Sequence, residues 1–191
     1  MGVLCDTQIR ELIPIKPFAT AEKRPGRISF GVCPSYGYDI RVGNKFKIFT
    51  PTPHGPDHRR RPQRVQSRPV REVDCVKSRR AKATTSSSRP ARYALCGDRR
   101  VDRDPATLVV CVGKSTHARC GLIVNVTPLE PEWRGKITLE ISNVDAAAGE
   151  VYANEGIAQL IFLKADRCAM SYADKKAKYQ DQMGLTLPKV D

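Results

Sequence analysis

No run of about 18 apolar residues occurs anywhere in this chain, so it offers no candidate membrane span. The opening MGVLCDTQIREL turns polar and acidic too early for a signal peptide. These two absences point to a soluble, cytoplasmic protein. No C-x-x-C pair is present either. The seven cysteines, Cys5, Cys33, Cys75, Cys96, Cys111, Cys120 and Cys168, are odd in number and irregular in spacing. That argues against both a disulfide framework and a zinc site, and buried free thiols are expected instead. Between Pro51 and Pro105 isoleucine and phenylalanine are missing altogether, and there is one leucine and one tyrosine. A stretch so poor in apolar surface does not offset the entropy of ordering and reads, by composition, as a basic loop.

The formal charge of +13 would usually suggest a nucleic-acid partner. Its distribution weakens that inference. Pro51 to Pro105 holds 13 Arg and 2 Lys against 6 Asp and Glu, a net of +9, which leaves +4 for the rest of the chain. The basicity belongs to one Arg/Pro/Ser-rich segment, 51–107, inside what is otherwise one domain spanning 1–191. A structureless loop of that length is unusual within a compact domain.

Outside that segment the pattern is ordinary and strand-rich. Asp6 or Thr7 can cap a short helix ending near Ile13. Ile28-Ser-Phe-Gly and Tyr38-Asp-Ile-Arg-Val alternate like strands. Leu108-Val-Val-Cys-Val is a short buried run. Leu122, Val124 and Val126 alternate with Ile123, Asn125 and Thr127. In Gly135-Lys-Ile-Thr-Leu-Glu-Ile-Ser-Asn143, Ile137, Leu139 and Ile141 face one way and Thr138, Glu140 and Ser142 the other. Ile157 to Leu163 is apolar except for Gln159. Short strands separated by Gly, Pro and Asn turns predict a mainly β protein, a barrel or jelly roll with short helices.

Three elements carry chemistry. Gly113-Lys-Ser-Thr-His-Ala-Arg-Cys-Gly121 follows a buried strand and ends on a glycine suited to close a helical turn. Lys114, Ser115 and Arg119 on one turn suit phosphate oxygens, arginine through its bidentate fork. The G-K-S-T string is not a Walker A motif, because the glycine required upstream is Val109. Glu140 is the second element, mid-strand on the polar face. An exposed carboxylate there is only a solvated charge, whereas one in a partly desolvated pocket can shuttle protons. The third is the polar tail from Tyr172 to Gln182, either a frayed terminus or a lid over a bound nucleotide with Lys178 on phosphate.

The strings ISFGVCPSYGYDIRVGNKFKIF, CVGKSTHARCGLIVNVTPLEPEW, KITLEISN, VYANEGIAQLIF and SYADKKAKYQDQMGLTLPK occur in that order. Together they resemble the dCTP deaminases of the trimeric dUTPase-like family. The resemblance implies a dUTPase-like fold, a homotrimer with active sites between subunits, and hydrolytic deamination of dCTP to dUTP and ammonia, a step that feeds dUMP synthesis. Carried over by motif, Lys114, Ser115, Thr116, His117, Ala118 and Arg119 would bind dCTP, with Ser115 and Arg119 also serving the chemistry. Thr138, Leu139 and Glu140 would line the cytosine, with Glu140 as the proton shuttle. Gln159 would read the base, and Tyr172, Lys178 and Gln182 would close over the triphosphate. Mg²⁺ would accompany the triphosphate. Zinc is not expected, since the H-x-E and P-C-x-x-C of zinc deaminases are missing and the only histidines are His54, His58 and His117. The same fold allows a bifunctional enzyme that also hydrolyses dUTP to dUMP. A basic nucleic-acid-binding protein with an Arg-rich arm is the reading from another class, and it requires the basic segment to be native.

Residues 57–107 depart from the resemblance, which implies core strands there. A shift of reading frame would account for the departure; the other reading is a true basic insertion. Reading the last two bases of each codon with the first base of the next, Asp57 to Glu72 allows IIVVDPSAFNPDLFVK and Gly97 to Pro105 allows ETVEWIEIP. In the other offset Ser86 to Arg92 allows ILVPPGS, running into Tyr93-Ala-Leu-Cys96. All three strings resemble the family at the matching places, and the segment is therefore expected to be a frame-displaced copy of core strands.

Overall fold

The computed structural model describes residues 2–16, 18–19, 25–26, 28, 33–49, 70–74, 82–85, 92–101, 106–145, 147 and 149–189. Its elements, in chain order, are β1 (Gly2–Val3), α1 (Asp6–Leu12), β2 (Tyr38–Arg41), β3 (Lys45–Phe49), β4 (Val70–Asp74), β5 (Lys82–Thr85), β6 (Arg92–Val101), β7 (Thr107–Gly113), α2 (Ser115–Ala118), β8 (Leu122–Asn125), β9 (Gly135–Asn143), β10 (Gly149–Tyr152) and β11 (Gly156–Lys164). The architecture is mainly β with two short helices among the described residues, as the alternation predicts. Of the Ile28–Gly31 run only Ile28 is described. The rest of it, with His54, His58 and Cys75, lies outside the described residues.

Two antiparallel sheets form the body. In the first, β11 is the hub: β1 and β2 pair along one edge and β7 along the other. The second runs β4-β3-β6-β9-β8, and β5 with β10 makes a separate pair. Period-2 alternation decides which side chains go in. Tyr38, Ile40, Val109, Cys111, Leu160 and Phe162 from the first sheet join Phe46, Ile48, Leu122, Ile137, Leu139 and Ile141 from the second in one buried cluster. Burying a side chain of this kind contributes about 1.5–3 kcal/mol, so this shared core is what holds the two sheets together.

Two expectations need correcting. The helix cap is Cys5, not Asp6 or Thr7, because Asp6 is already helical while Cys5 stays extended. The Cys5 N–H donates to Gln8 Oε1 at 3.1 Å. The described thiols are also less buried than expected. Cys111 lies in the core, but Cys120 and Cys168 are exposed and Cys5 and Cys33 intermediate, since they sit on turns and element ends and not on core-facing strand positions.

The basic segment is not structureless where it is described. β4 pairs with β3, β5 with β10, and β6 runs between β3 and β9 at the centre of the five-stranded sheet. Ala94 and Cys96 stand in register with Ile141 and Leu139, and a one-residue bulge follows Gly97. The strand given the most central place is thus one of the poorest in apolar residues, RYALCGDRRV. Net domain stability is only about 5–15 kcal/mol, a margin that several lost core side chains at about 1.5–3 kcal/mol each exceed. We therefore expect a chain carrying the recovered strings IIVVDPSAFNPDLFVK, ILVPPGS and ETVEWIEIP to melt cooperatively and well above the present chain. Thermal melts with light scattering on both chains check this, and equal cooperative melting would leave the basic segment as native sequence.

Candidate active site

The K-S-T-H-A-R run forms the turn expected of it. β7 ends at Gly113, and α2 follows as a single turn. The Ala118 and Arg119 N–H groups donate to Lys114 O and Ser115 O at 3.1 and 3.0 Å. Gly121 closes the turn at φ +72, a backbone state that L side chains rarely adopt, and a Cβ there would come within 2.7 Å of Asp145 Cβ. Ser115, Thr116, Ala118 and Arg119 all lie on the exposed side. They form an open edge on which hydroxyl and guanidinium groups face solvent.

Lys114 is not free on that edge. Its ammonium is paired with Asp39, whose side chain is 8 % exposed. The partners are 75 residues apart in sequence, so no local pattern announces the pair. The only sign in the sequence is a charge set between Tyr38 and Ile40, which both face the core. Gln159 stands between Asp39 and Val112 in the strand register. All three therefore share the outer face of the first sheet. Gly37, at φ +96, lets the chain cross that face: a Cβ on it would meet Leu160 O at 2.7 Å and the Gln159 side chain at 3.2 Å.

His117 points the other way. It is 5 % exposed, and its Nδ1 has no partner among the described residues. Burial pushes the imidazole below its ordinary value of 6.5; the Glu155 charge opposes this and the Lys114 charge adds to it. Its side chain props the turn from beneath. Leu139, at 0 % exposure, is likewise a core side chain.

Glu140 occupies a second location. β9 buries Ile137, Leu139 and Ile141 and turns Thr138, Glu140 and Ser142 outward, half-buried. Asn125 Nδ2, in register across β8, donates to Glu140 Oε2 at 3.2 Å. The carboxylate opens into a cavity of about 320 Å³ whose lining includes Thr138, Glu140, Trp133, Tyr172, Tyr179 and Gln182. That volume lies at the small end of the range for ligand pockets, about 300–1,000 Å³.

The tail makes one wall of this cavity and is docked, not frayed. Tyr172 N–H donates to Pro131 O at 3.1 Å, Tyr179 N–H to the Tyr172 hydroxyl at 3.2 Å, and Asp181 N–H to Arg134 O at 2.7 Å. Trp133 Nε1 donates to Tyr179 O at 3.1 Å. Gln180 bridges Glu132 O and the Arg134 N–H. Gln182 is bound to the head of β9: its carbonyl accepts from the Lys136 N–H at 2.8 Å, and its Nε2 lies 3.3 Å from Thr138 Oγ1. Lys178 is exposed, with its carbonyl accepting from Lys189 Nζ.

The structure thus brings Thr138, Glu140, Tyr172 and Gln182 to one cavity. Lys114 to Arg119 and Gln159 are not among the residues lining it; they belong to the α2 turn and the outer face of the first sheet. Residues that sequence reasoning did not single out are Asp39, Asn125, Trp133 and Tyr179, each defined by a partner across strands or along the tail.

A family model described as dCTP deaminase-like matches residues 3–165. The chain belongs to that family. It is similar to a dCTP deaminase of Nautilia profundicola, 47 % identical over 200 aligned residues, and to one of Acidobacterium capsulatum, 45 % identical over 195. Another relative, from Rhodospirillum centenum, is 46 % identical over 198, and in all three the match spans the whole of both chains. Among solved structures the chain is similar to the 2'-deoxycytidine 5'-triphosphate deaminase of Agrobacterium tumefaciens, with a TM-score of 0.57. The match covers 84 % of this chain and 47 % of that one at 16 % identity, a likeness of fold alone.

His117 gives the site a pH signature. A histidine whose folded pKa is depressed binds its proton first in the unfolded state, so folding stability is full above the ordinary value of 6.5 and is lost as pH falls through the depressed one. The melting temperature should drop between pH 7 and pH 5, and His117→Phe should flatten that slope; a slope unchanged by the substitution would assign it to other groups.

Proposed function

We propose that this chain catalyses the hydrolytic deamination of dCTP to dUTP and ammonia, with Glu140 as general acid and base. The observation that carries the reading is the Glu140 carboxylate, held by Asn125 and open to a cavity of about 320 Å³, in a chain of the dCTP deaminase-like family. Cytosine would lie in that cavity against Thr138 and the backbone of Leu139. Glu140 takes a proton from water as its oxygen attacks C4 and delivers it to the ring nitrogen. In the tetrahedral intermediate it moves the hydroxyl proton to the amino group, which leaves as ammonia while the C4 carbonyl forms. Tyr172 and Gln182 cover the nucleotide, and Lys178 reaches its phosphates.

The α2 turn supplies the remaining groups from a second subunit. Two observations support a split site. Lys114 to Arg119 do not line the Glu140 cavity of their own chain. The outer face of the first sheet, beside that turn, is also apolar: Leu108, Val110, Val112, Ile161 and Leu163 share it, with Val112 46 % exposed. A homotrimer would cover this face and bring Ser115, Arg119 and Gln159 to the neighbouring Glu140. Ser115 and Arg119 then hydrogen-bond substrate and reacting groups, and Lys114 exchanges Asp39 for phosphate. Mg²⁺ would be held by the triphosphate oxygens; among the described residues no three His, Cys, Asp or Glu side chains converge to hold a metal. The chemistry does not call on zinc. Among the described residues no helix is long and apolar enough to cross a membrane, and the partner expected is nucleotide, not nucleic acid. The basic segment enters this reading as a frame-displaced stretch, which the nucleotide sequence across codons 50–110 tests directly.

Glu140→Gln keeps the shape of the side chain and cannot accept and return a proton. It should lower kcat by at least about 10²-fold while dCTP affinity stays within a few-fold. Ammonia release measured beside equilibrium dCTP binding tests this on the frame-restored chain, and turnover near the parent's would remove Glu140 from the chemistry. Following pyrophosphate in the same assay separates this reading from one in which dUTP is also hydrolysed to dUMP.

A further inference from the structure

Ser171 begins the tail, is 5 % exposed, and has no part in the nucleotide contacts expected of the tail, which fall to Tyr172, Lys178 and Gln182. Its hydroxyl is wedged between two carboxylates. Oγ bonds Glu132 Oε2, and it lies 2.9 Å from Asp174 Oδ2. The Ser171 N–H also donates to Asp174 Oδ2 at 2.9 Å, and the Asp174 N–H returns a bond to Oγ at 3.2 Å. The Ser171 backbone N–H is the main reason the Asp174 carboxyl lies below its ordinary value, and the single hydroxyl proton is the one that Oγ gives to Glu132. The residue that receives Ser171 is itself unusual: Glu132 sits at φ +62, a non-glycine residue in the left-handed region. That conformation lies in the turn whose neighbours Pro131, Trp133 and Arg134 carry the tail's other bonds. One side-chain contact therefore joins the root of the tail to the loop over which the whole tail is laid.

We propose that Ser171 is a positioning residue: by clasping Glu132 it registers the tail on the 130–134 loop and so sets the wall of the Glu140 cavity. It touches neither substrate nor reacting atoms. It acts through Tyr172, the next residue, and through Tyr179, which line the cavity. Glu140 is held independently, by the β9 ladder and Asn125. Loss of the clasp should therefore weaken substrate capture and leave the chemical step alone, because the binding-competent tail becomes only a fraction of the population. The activity arm of this inference rests on the dCTP reading above; the docking arm does not.

The sole tryptophan, Trp133, is bonded to the tail through Tyr179 O and reports docking without any substrate. The variants are Ser171→Ala, which removes the hydroxyl; Glu132→Gly, which removes the carboxylate where φ suits glycine; and Glu132→Gln, which keeps an acceptor oxygen. In the full chain, Ser171→Ala and Glu132→Gly should shift Trp133 emission to the red and speed tryptic cleavage after Lys175, Lys176 and Lys178 by about tenfold, the size of one charge-assisted hydrogen bond. They should raise KM for dCTP by a similar factor with kcat within about twofold. The double variant should match the more affected single one, since both break the same contact, and Glu132→Gln, which keeps an acceptor but not the charge, should fall between the parent and Ser171→Ala. Emission, cleavage and KM all at parent values would overturn the clasp, as would a fall in kcat with KM unchanged. Should the parent prove inactive on dCTP, emission and cleavage alone decide it.

Discussion

The pleat of β9 is the constraint on which the candidate site depends. Nine residues, Gly135 to Asn143, alternate so that Ile137, Leu139 and Ile141 are driven into the core while Thr138 and Glu140 are held outward. The carboxylate is placed by the burial of its neighbours and not by a loop of its own. A slip of one residue would exchange the two faces, putting Glu140 among Phe46, Ile48 and Leu122. The strands on either side hold the register: β8 supplies the Asn125 bond, and β6 runs along the other edge. The tail then turns an outward-facing carboxylate into one that lines a cavity.

Much of this was legible in the residues, for a physical reason. Local alternation is written in the chain, so β2, β7, β9 and β11 could be read to within a residue or so. The α2 turn was legible because Gly121 answers a backbone demand. Contacts between distant segments were not. Asp39 and Lys114 are brought together only by strands β2, β11 and β7 lying side by side. Trp133 and Tyr179 meet only because the tail folds back over the 130–134 loop. His117 shows the converse limit: a motif position reads as a ligand contact, yet alternate residues of one helical turn face opposite ways, and this one faces in.

The basic segment marks where composition and topology disagree. Composition describes a stretch with too little apolar surface to order, while the fold gives β6 the central position in the five-stranded sheet. A central strand is flanked on both edges and needs side chains that suit both faces of the sheet. On β6 the recovered string places ETVEW after Tyr93-Ala-Leu-Cys96, where the present sequence has Gly97-Asp-Arg-Arg-Val101, and valine, threonine and tryptophan suit a strand better than glycine and aspartate. Frame displacement would reconcile the two, since it would remove core side chains and leave β7, α2, β9 and the tail in place.

The central claim is that Glu140 of one subunit works with the α2 turn of the next. Mixing two inactive chains tests it most directly. Glu140→Gln and Arg119→Ala variants of the frame-restored chain are unfolded together at equal concentration, refolded and assayed for dUTP and ammonia. A site shared between neighbours regains activity wherever an intact Arg119 meets an intact Glu140, about one site in four under random cyclic assembly. The account predicts recovery to about a quarter of the parent rate, with neither variant active when refolded alone. Mixtures as inactive as their components would contradict it and would place both groups in the same chain's site.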